Sequence, residues 1–366
     1  MVTDVRIQRS TRTFITVLGI IGIFFILYIS KSILIPFTFA VLLAALLYPI
    51  KRFLDKKKVP ETLSISMTLL IAIAVVAGVL IFIIFLVARV TEDFPRFQTQ
   101  FSEFIDETQL TVEQKFGIQT EKQIAWIRER ASTALEGSAS LVGQTFLVIT
   151  DILVIITLVP LYVFLLLLYK PLIVESIVQI IAGTSRTDSK DVRTVIGDTR
   201  GVIQNYLVGL LIETAVIAVI SIVTLLLLGI DYAVLLGIII AIINLIPYIG
   251  VLIGSVLPAL VALITKESSW YALAVIGIFV VIQFVDGNII MPRIVGSKVS
   301  LNALASIMGV LIGGLIWGLP GLFLALPIVA ILKVIFDRSE SLQPWGMLLG
   351  HDDLSNAKTD TANLSN

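Results

Sequence analysis

Cysteine is absent from all 366 residues, and histidine occurs once, at His351 in a polar tail. Disulfides, thiolate catalysis, cysteine metal sites and multi-histidine metal centres are thereby excluded within the chain, as are Ser-His and Cys-His nucleophile systems. Charge is scarce too. Asp, Glu, Lys and Arg make up 14% of the residues and apolar types 57%, against about 25% and about 45–50% in ordinary soluble domains. So few charges cannot cover a water-soluble fold of this length, and lipid must be the solvent for much of it. The formal net charge is zero, which points to no nucleic acid and no polybasic membrane tether. No Gly-Lys-Ser/Thr phosphate loop occurs, so whatever the chain moves, it moves without hydrolysing ATP itself.

What the chain has instead is long apolar runs. A helix needs about 20 apolar residues to cross the hydrocarbon core. Runs of that order lie at 13–30, 32–50, 62–88, 152–169, 201–230 (interrupted only by Glu213), 232–265, 268–285 and 299–332. The first follows Arg6, Arg9 and Arg12 as a signal peptide would, but it is uncharged from Thr13 to Ser30 with a second run directly behind it. It reads as a retained membrane helix. The fold class expected is an all-α polytopic membrane protein of eight transmembrane helices, with broken helices in the C-terminal half and a small helical extracytoplasmic insert.

Orientation follows from basic residues near the span ends. Arg6, Arg9 and Arg12, the cluster Lys51-Arg52-Phe53-Leu54-Asp55-Lys56-Lys57-Lys58, and Lys170, Arg186, Lys190, Arg193 and Arg200 all fall on one side of an eight-span layout. That side is read as the cytoplasm, and both termini lie there. Residues 91–143, with nine acidic and five basic residues, fall outside. In this insert Phe94, Phe97, Phe101 and Phe104 recur at helical spacing, and a second helix is expected from Thr120 with Ile124, Ile127, Ala131 and Leu135 as its apolar face. The organisation expected is a three-helix membrane region at 1–90, the insert at 91–143, a fourth span and cytoplasmic linker at 144–200, a four-span region at 201–337 and a disordered cytoplasmic tail at 338–366.

Two runs exceed a simple span. As unbroken helices, 232–265 and 299–332 would each stretch about 50 Å across a core of about 30 Å. Both carry breakers: Asn244-Leu245-Ile246-Pro247-Tyr248-Ile249-Gly250 in the first, Gly318-Leu319-Pro320-Gly321 in the second. The first leaves open a kinked span or a re-entrant hairpin. Both runs also contain Gly-Val-Leu-Ile-Gly, at 250–254 and 309–313, followed by Leu-Pro-x-Leu, which raises an internal duplication.

Broken helices at membrane depth expose backbone groups that only protein or a water-lined cavity can satisfy. Asn244, Pro247, Tyr248 and Gly250 therefore form the first candidate substrate site: Pro247 frees a carbonyl, Gly250 admits close backbone approach, and Asn244 and Tyr248 can hydrogen-bond a polar solute. The alternative is a structural proline kink. Gln283, Asp286 and Asn288 form the second, a carboxylate beside two amides that can coordinate a cation, pass a proton or bind hydroxyl groups. Pairing of Asp286 with Arg293 or Lys298 at the interface is the alternative there. Glu213 lies mid-span, where an ionised carboxylate is costly unless paired, and a proton-relay role competes with that of a hydrogen-bonded structural acid. Gly309, Gly313, Gly314 and Gly318, at overlapping four-residue spacings, are read as helix-packing positions.

The run Asn244 to Gly250 with Pro258, the residues Gln283, Asp286, Asn288, Pro292 and Gly296, and the closing Gly314-Leu315-Ile316-Trp317-Gly318-Leu319-Pro320-Gly321 with Pro327 resemble the autoinducer-2 exporter family, also called PerM-type permeases. The resemblance covers residues 10–337 and is most specific between 240 and 330. It implies a multi-pass protein of the bacterial inner membrane that exports small solutes, with no cofactor, assembled as a homo-oligomer, a pentamer. The leading expectation is an ATP-independent exporter of a small polar solute such as autoinducer-2, lined by Asn244, Tyr248, Gln283, Asp286 and Asn288. A sodium(lithium)/proton antiporter exchanging a monovalent cation through Glu213 and Asp286 is the alternative. A membrane scaffold recruiting partners through 91–143 is a third. No enzyme is expected, because no nucleophile–base or metal-ligand constellation occurs.

Overall fold

The computed structural model describes residues 9–92, 99–106, 156–184, 189–246, 250–266, 268–296, 301–339 and 342–350. These residues are helical, with one isolated antiparallel bridge between Leu301 and Gly350 and no strand among them. Hydrocarbon enforces this: a backbone that cannot bond water must bond itself within each segment. The helices are α1 (Arg9–Ile29), α2 (Lys31–Lys56), α3 (Glu61–Glu92), α4 (99–106), α5 (Ile156–Leu168), α6 (Lys170–Thr184) and α7 (Ser189–Leu227). They continue as α8 (Ala233–Ile243), α9 (Gly250–Thr265), α10 (Trp270–Val285), α11 (Ala303–Trp317), α12 (Leu319–Asp337) and α13 (Gln343–Leu349). Five helices are long and apolar enough to cross a bilayer: α2, α3, α7, the helix running on from α10 to Ile294, and α12. A sixth span results if α5 and α6, bent by 67° at Tyr169, are counted together. Pro171 accounts for the bend, since it has no N–H to give the Leu167 carbonyl and its ring crowds that oxygen.

The chain divides into two compact units. One comprises Met67–Thr157 and Val208–Ser297. Its core is Ile217, Leu225, Leu236, Ile240, Val251, Ala262, Val275 and Phe279 with their neighbours, contributed by α7 to α10. Lipid tails are as apolar as these side chains, so close fit rather than water exclusion holds them together. Small residues permit that fit. A Cβ on Gly237 of α8 would stand 2.5 Å from Ile222 Cγ1 and 2.8 Å from the Ile222 amide nitrogen on α7. Gly254 of α9 faces Ile240 of α8, and Gly250 faces Asn244. These pairings step outward from the breaker, so α8 and α9 run antiparallel as a helical hairpin. The run 232–265 is thus a hairpin and not a kinked span. At 11 and 16 residues its arms rise about 16 and 24 Å, each short of the core.

The other unit comprises Met1–Ser66, Leu158–Leu207 and Lys298–Asn366. The run 299–332, expected as one broken span, is also two antiparallel helices here, turned at Gly318 (φ 64°). Gly313 and Gly321 meet backbone to backbone: a Cβ on Gly321 would overlap the Gly313 carbonyl oxygen. A Cβ on Gly309 would stand 2.8 Å from Val329, and one on Gly314 2.7 Å from Leu322. Gly309, Gly313 and Gly314 therefore lie along the α11–α12 seam, while Gly318 makes the turn. Gly-Val-Leu-Ile-Gly opens the second arm of one hairpin and lies in the first arm of the other, so the echo does not mark equivalent places in the two. Trp317 Nε1 donates to the Leu27 carbonyl at 3.0 Å, and Phe39 of α2 stacks on Phe323 of α12 with centroids 5.6 Å apart.

Two other expectations need restating. Residues 342–350, assigned to a disordered tail, include the short helix α13. Asn302 caps α11 by accepting from the Ala305 amide at 2.7 Å and donates to the carbonyls of Leu348 (2.7 Å) and Gly350 (3.0 Å), tying α13 back. Residues 351–366 lie outside the described residues. Of the insert 91–143 only 91–92 and 99–106 are described, with Phe101 and Phe104 half-buried and Ile105 buried; Phe94, Phe97 and the helix expected from Thr120 lie outside them.

Candidate functional site

The hairpin tip builds the site. Helix α8 stops at Ile243, and the three residues Asn244-Leu245-Ile246 lead into Pro247; the residue before a proline resists helical geometry. Helix α9 begins at Gly250, where a Cβ would overlap the Asn244 Cα and stand 2.6 Å from the Ile243 carbonyl oxygen. Only glycine lets the second arm start this close to the end of the first. Pro247 and Tyr248 lie outside the described residues.

Asn244 is buried, and its Nδ2 donates to Asp286 Oδ2 at 3.2 Å. This bond joins two candidate sites that lie 42 residues apart in the chain. Asp286 was expected where the seventh span ends, yet the helix continues through it, and the residue is 3% exposed. From Asp286 to Ile290, and again from Pro292 to Gly296, the helix widens to π geometry. The Met291 amide donates back to the Asp286 carbonyl, five residues away. Pro292 supplies a reason, since without an N–H it cannot continue the α-helical ladder. Single π-turns inside α-helices recur at functional sites.

The remaining candidates divide. Gln283 is three residues before Asp286, on the same helical face, and its Oε1 is buried without a hydrogen-bond partner. Asn288 is exposed and donates to the Phe284 carbonyl of its own helix at 2.8 Å, so the structure does not bring it to Asn244. Arg293 is exposed and makes no ion pair among the described residues, and Lys298 lies outside them. Glu213 of α7 is 5% exposed, and its Oε2 has no hydrogen-bond partner. It lies close enough to Asp286 for the two carboxyl groups to interact. Neither acid has a cationic partner among the described residues.

One polar residue escaped sequence reasoning. Ser221 is fully buried with an unpartnered Oγ, on the stripe Leu210, Glu213, Ile217, Ser221, Leu225 that α7 buries. The signal was a hydroxyl eight residues from Glu213 on the same helical stripe. Ser255 and Ser306 are buried too, but they bond carbonyls of their own helices, Leu252 at 2.7 Å and Asn302 at 3.0 Å.

Glu213 Oε2, Gln283 Oε1, Asp286 Oδ1 and Ser221 Oγ are the buried side-chain atoms left without a partner among the described residues. All are acceptors. Each unmet acceptor costs about 1–3 kcal/mol, a cost that a hydroxyl-bearing solute, a cation or a proton can remove. No arrangement of nucleophile and base accompanies them among the described residues. What Glu213, Gln283 and Asp286 can do is bind something that donates; Ser221 lies about 12 Å further along α7.

A model of the AI-2E family transporters matches residues 14–341. YrrI of Bacillus subtilis is 27% identical over 315 residues, which is 84% of this chain and 86% of that protein. YueF of the same organism is 28% identical over 327 residues, 85% of each. Both bear transport-protein names. TqsA of Escherichia coli, named an AI-2 transport protein, is 22% identical over 327 residues, 87% of this chain and 90% of its own length.

If the cluster is kept for a ligand at the expense of the fold, removing an unmet acceptor stabilises the protein. Glu213→Leu is expected to raise the thermal unfolding midpoint in detergent, by the equivalent of about 1–3 kcal/mol. A lowered midpoint would mean that Glu213 already has its partner within the fold.

Proposed function

Because the chain belongs to the AI-2E transporter family, we propose that it is an ATP-independent exporter of a small polar solute, whose hydroxyl groups donate to Glu213, Gln283 and Asp286. The observation that carries this reading is the surplus of buried acceptors beside the Asn244–Asp286 hydrogen bond, where a hairpin tip meets a π-turn. A neutral polyol suits amide and carboxylate acceptors. Autoinducer-2, a small polyhydroxylated molecule, is the first cargo to try, and the name of TqsA supports that choice.

The two buried acids Glu213 and Asp286 favour a second reading, exchange of sodium or lithium for protons. Two buried acids with no cationic partner among the described residues can be occupied alternately by a cation and by protons. One experiment separates the readings. In vesicles reconstituted with the chain, export of autoinducer-2 and related polyols is followed beside sodium- and lithium-driven proton movement. The first reading expects solute flux that Asp286→Asn slows about 10–100-fold, the value of one bond to a charged group. The second expects ion exchange that both Glu213→Gln and Asp286→Asn abolish. Solute and ion fluxes unchanged in both variants would sink both.

We place the protein in the bacterial inner membrane as a homo-oligomer, with the Lys51–Lys58 cluster and both termini in the cytoplasm and the insert 91–143 outside. The basic clusters support this orientation. Family resemblance suggests a pentamer, and α3, whose most apolar 18-residue window buries nothing within the chain, leaves surface for lipid or for further copies. Because 232–265 doubles back, Ser269 is expected on the outer side along with Asp231. The chain has no cysteine of its own, so single cysteines report position directly. An impermeant thiol reagent added to intact cells should label Ser269→Cys and leave Ser355→Cys untouched. The reverse pattern would invert the orientation.

A further inference from the structure

The end of α2 and the start of α7 enclose a second polar site, unrelated to the acceptor cluster. Tyr48 stands at its centre. The Lys170 ammonium lies 3.5 Å from the ring centroid and the Arg200 guanidinium 4.5 Å. Tyr48 lines two cavities with different electrostatics.

The first, of about 410 Å³, is lined by Lys51, Glu61, Lys170, Glu175 and Arg193 among others. Its bases are largely neutralised. Lys51 bonds Asp55 at 3.0 Å and Glu61 at 2.9 Å, and Arg193 pairs with Glu175. The second, of about 340 Å³, is lined by Tyr48, Pro49, Arg52, Phe53, Lys56, Arg200 and Gln204. Three of those seven are cationic and none is acidic. Arg52, Lys56 and Arg200 make no ion pair among the described residues, and the nearby acids are engaged elsewhere, Asp55 with Lys51 and Asp198 with Arg338. Gln204, half-buried, adds an amide with no hydrogen bond among the described residues.

Three uncompensated positive charges around one small cavity repel one another and call for a multiply charged anion. Two guanidinium forks and an ammonium match phosphate in particular, because Arg presents paired N–H donors to two oxygens of one group. The wall is not wholly polar. Pro49 and Phe53 complete it, and Phe53 is 57% exposed. The site opens where the charge-free run 32–50 ends, the depth of a lipid headgroup.

We propose that the cavity of Arg52, Lys56, Arg200 and Gln204 binds a phosphate group, supplied either by an anionic phospholipid headgroup or by a soluble phosphate ester. The guanidinium groups of Arg52 and Arg200 hold the phosphate oxygens and Lys56 neutralises remaining charge at the rim. Where a lipid is the source, its glycerol and acyl portions lie along Pro49 and Phe53.

The test uses the purified full chain, delipidated in detergent, with three probes: phosphatidylglycerol, phosphatidylcholine and glycerol 3-phosphate. Native mass spectrometry and thermal shift read binding. Retention of phosphatidylglycerol over phosphatidylcholine, reduced about 10-fold or more in Arg52→Gln/Arg200→Gln, is the expected result for a lipid source. Binding of glycerol 3-phosphate alone, lost in the same variant, assigns the phosphate to solution. Arg193→Gln, in the neutralised cavity, should leave binding intact. If the double variant fails to fold, Lys56→Gln at the exposed rim carries the test with a smaller loss. No anion preference in the wild type, or equal binding by wild type and the rim variants, would overturn the proposal.

Discussion

The hydrogen bond from Asn244 to Asp286 holds together a hairpin tip and a widened helical turn, and the rest of the candidate site depends on it. In water such a bond between an amide and a carboxylate is nearly neutral, because either group can bond solvent instead. Buried in a membrane protein, neither has that option. Asn244 satisfies one carboxylate oxygen of Asp286 and leaves the other without a partner, along with acceptors on Gln283, Glu213 and Ser221. A fold selected for stability alone would have placed apolar residues at these positions. A ligand that donates hydrogen bonds would meet these acceptors.

The apolar runs and the all-helical class were legible in the sequence because lipid imposes a simple rule on length and polarity. The breakers at Pro247 and Gly318 were legible too, since proline and glycine act locally. What was not legible was direction. Whether a broken run kinks onward or folds back depends on contacts between its halves, and those rest on glycines whose partners are distant in sequence, such as Gly254 against Ile240 and Gly313 against Gly321. An apolar run offers no periodic signal for that choice. The same blindness placed Asp286 at a helix end. In sequence a charge reads as the boundary of a span, whereas here the helix runs through it by widening to π geometry.

Within the site, residue type was a fair guide and exposure was not. Asn244, Gly250 and Asp286 come together, but Asn288, two residues beyond Asp286, faces away and bonds its own helix. Ser221 was overlooked because a hydroxyl in a membrane helix ordinarily bonds the carbonyl a turn earlier, as Ser306 and Thr214 do. The cationic cavity beside Tyr48 also rests on pairing that composition hides. Lys51 and Arg52 are neighbours in one basic cluster, yet Lys51 is held by two carboxylates and Arg52 by none. Counting charges along the sequence yields an expectation of orientation; only their partners show which of them remain free to bind.

The central claim is that carboxylate and amide at these two positions act as one device. Exchanging them tests it most directly, through cargo flux in vesicles reconstituted with Asn244→Asp, Asp286→Asn or both changes together. Each single change leaves two carboxylates or two amides facing each other and is expected to slow flux. The double change restores a carboxylate–amide pair with its direction reversed, and the account predicts that it recovers part of what either single change loses. A double variant as slow as the product of the two single losses would contradict it.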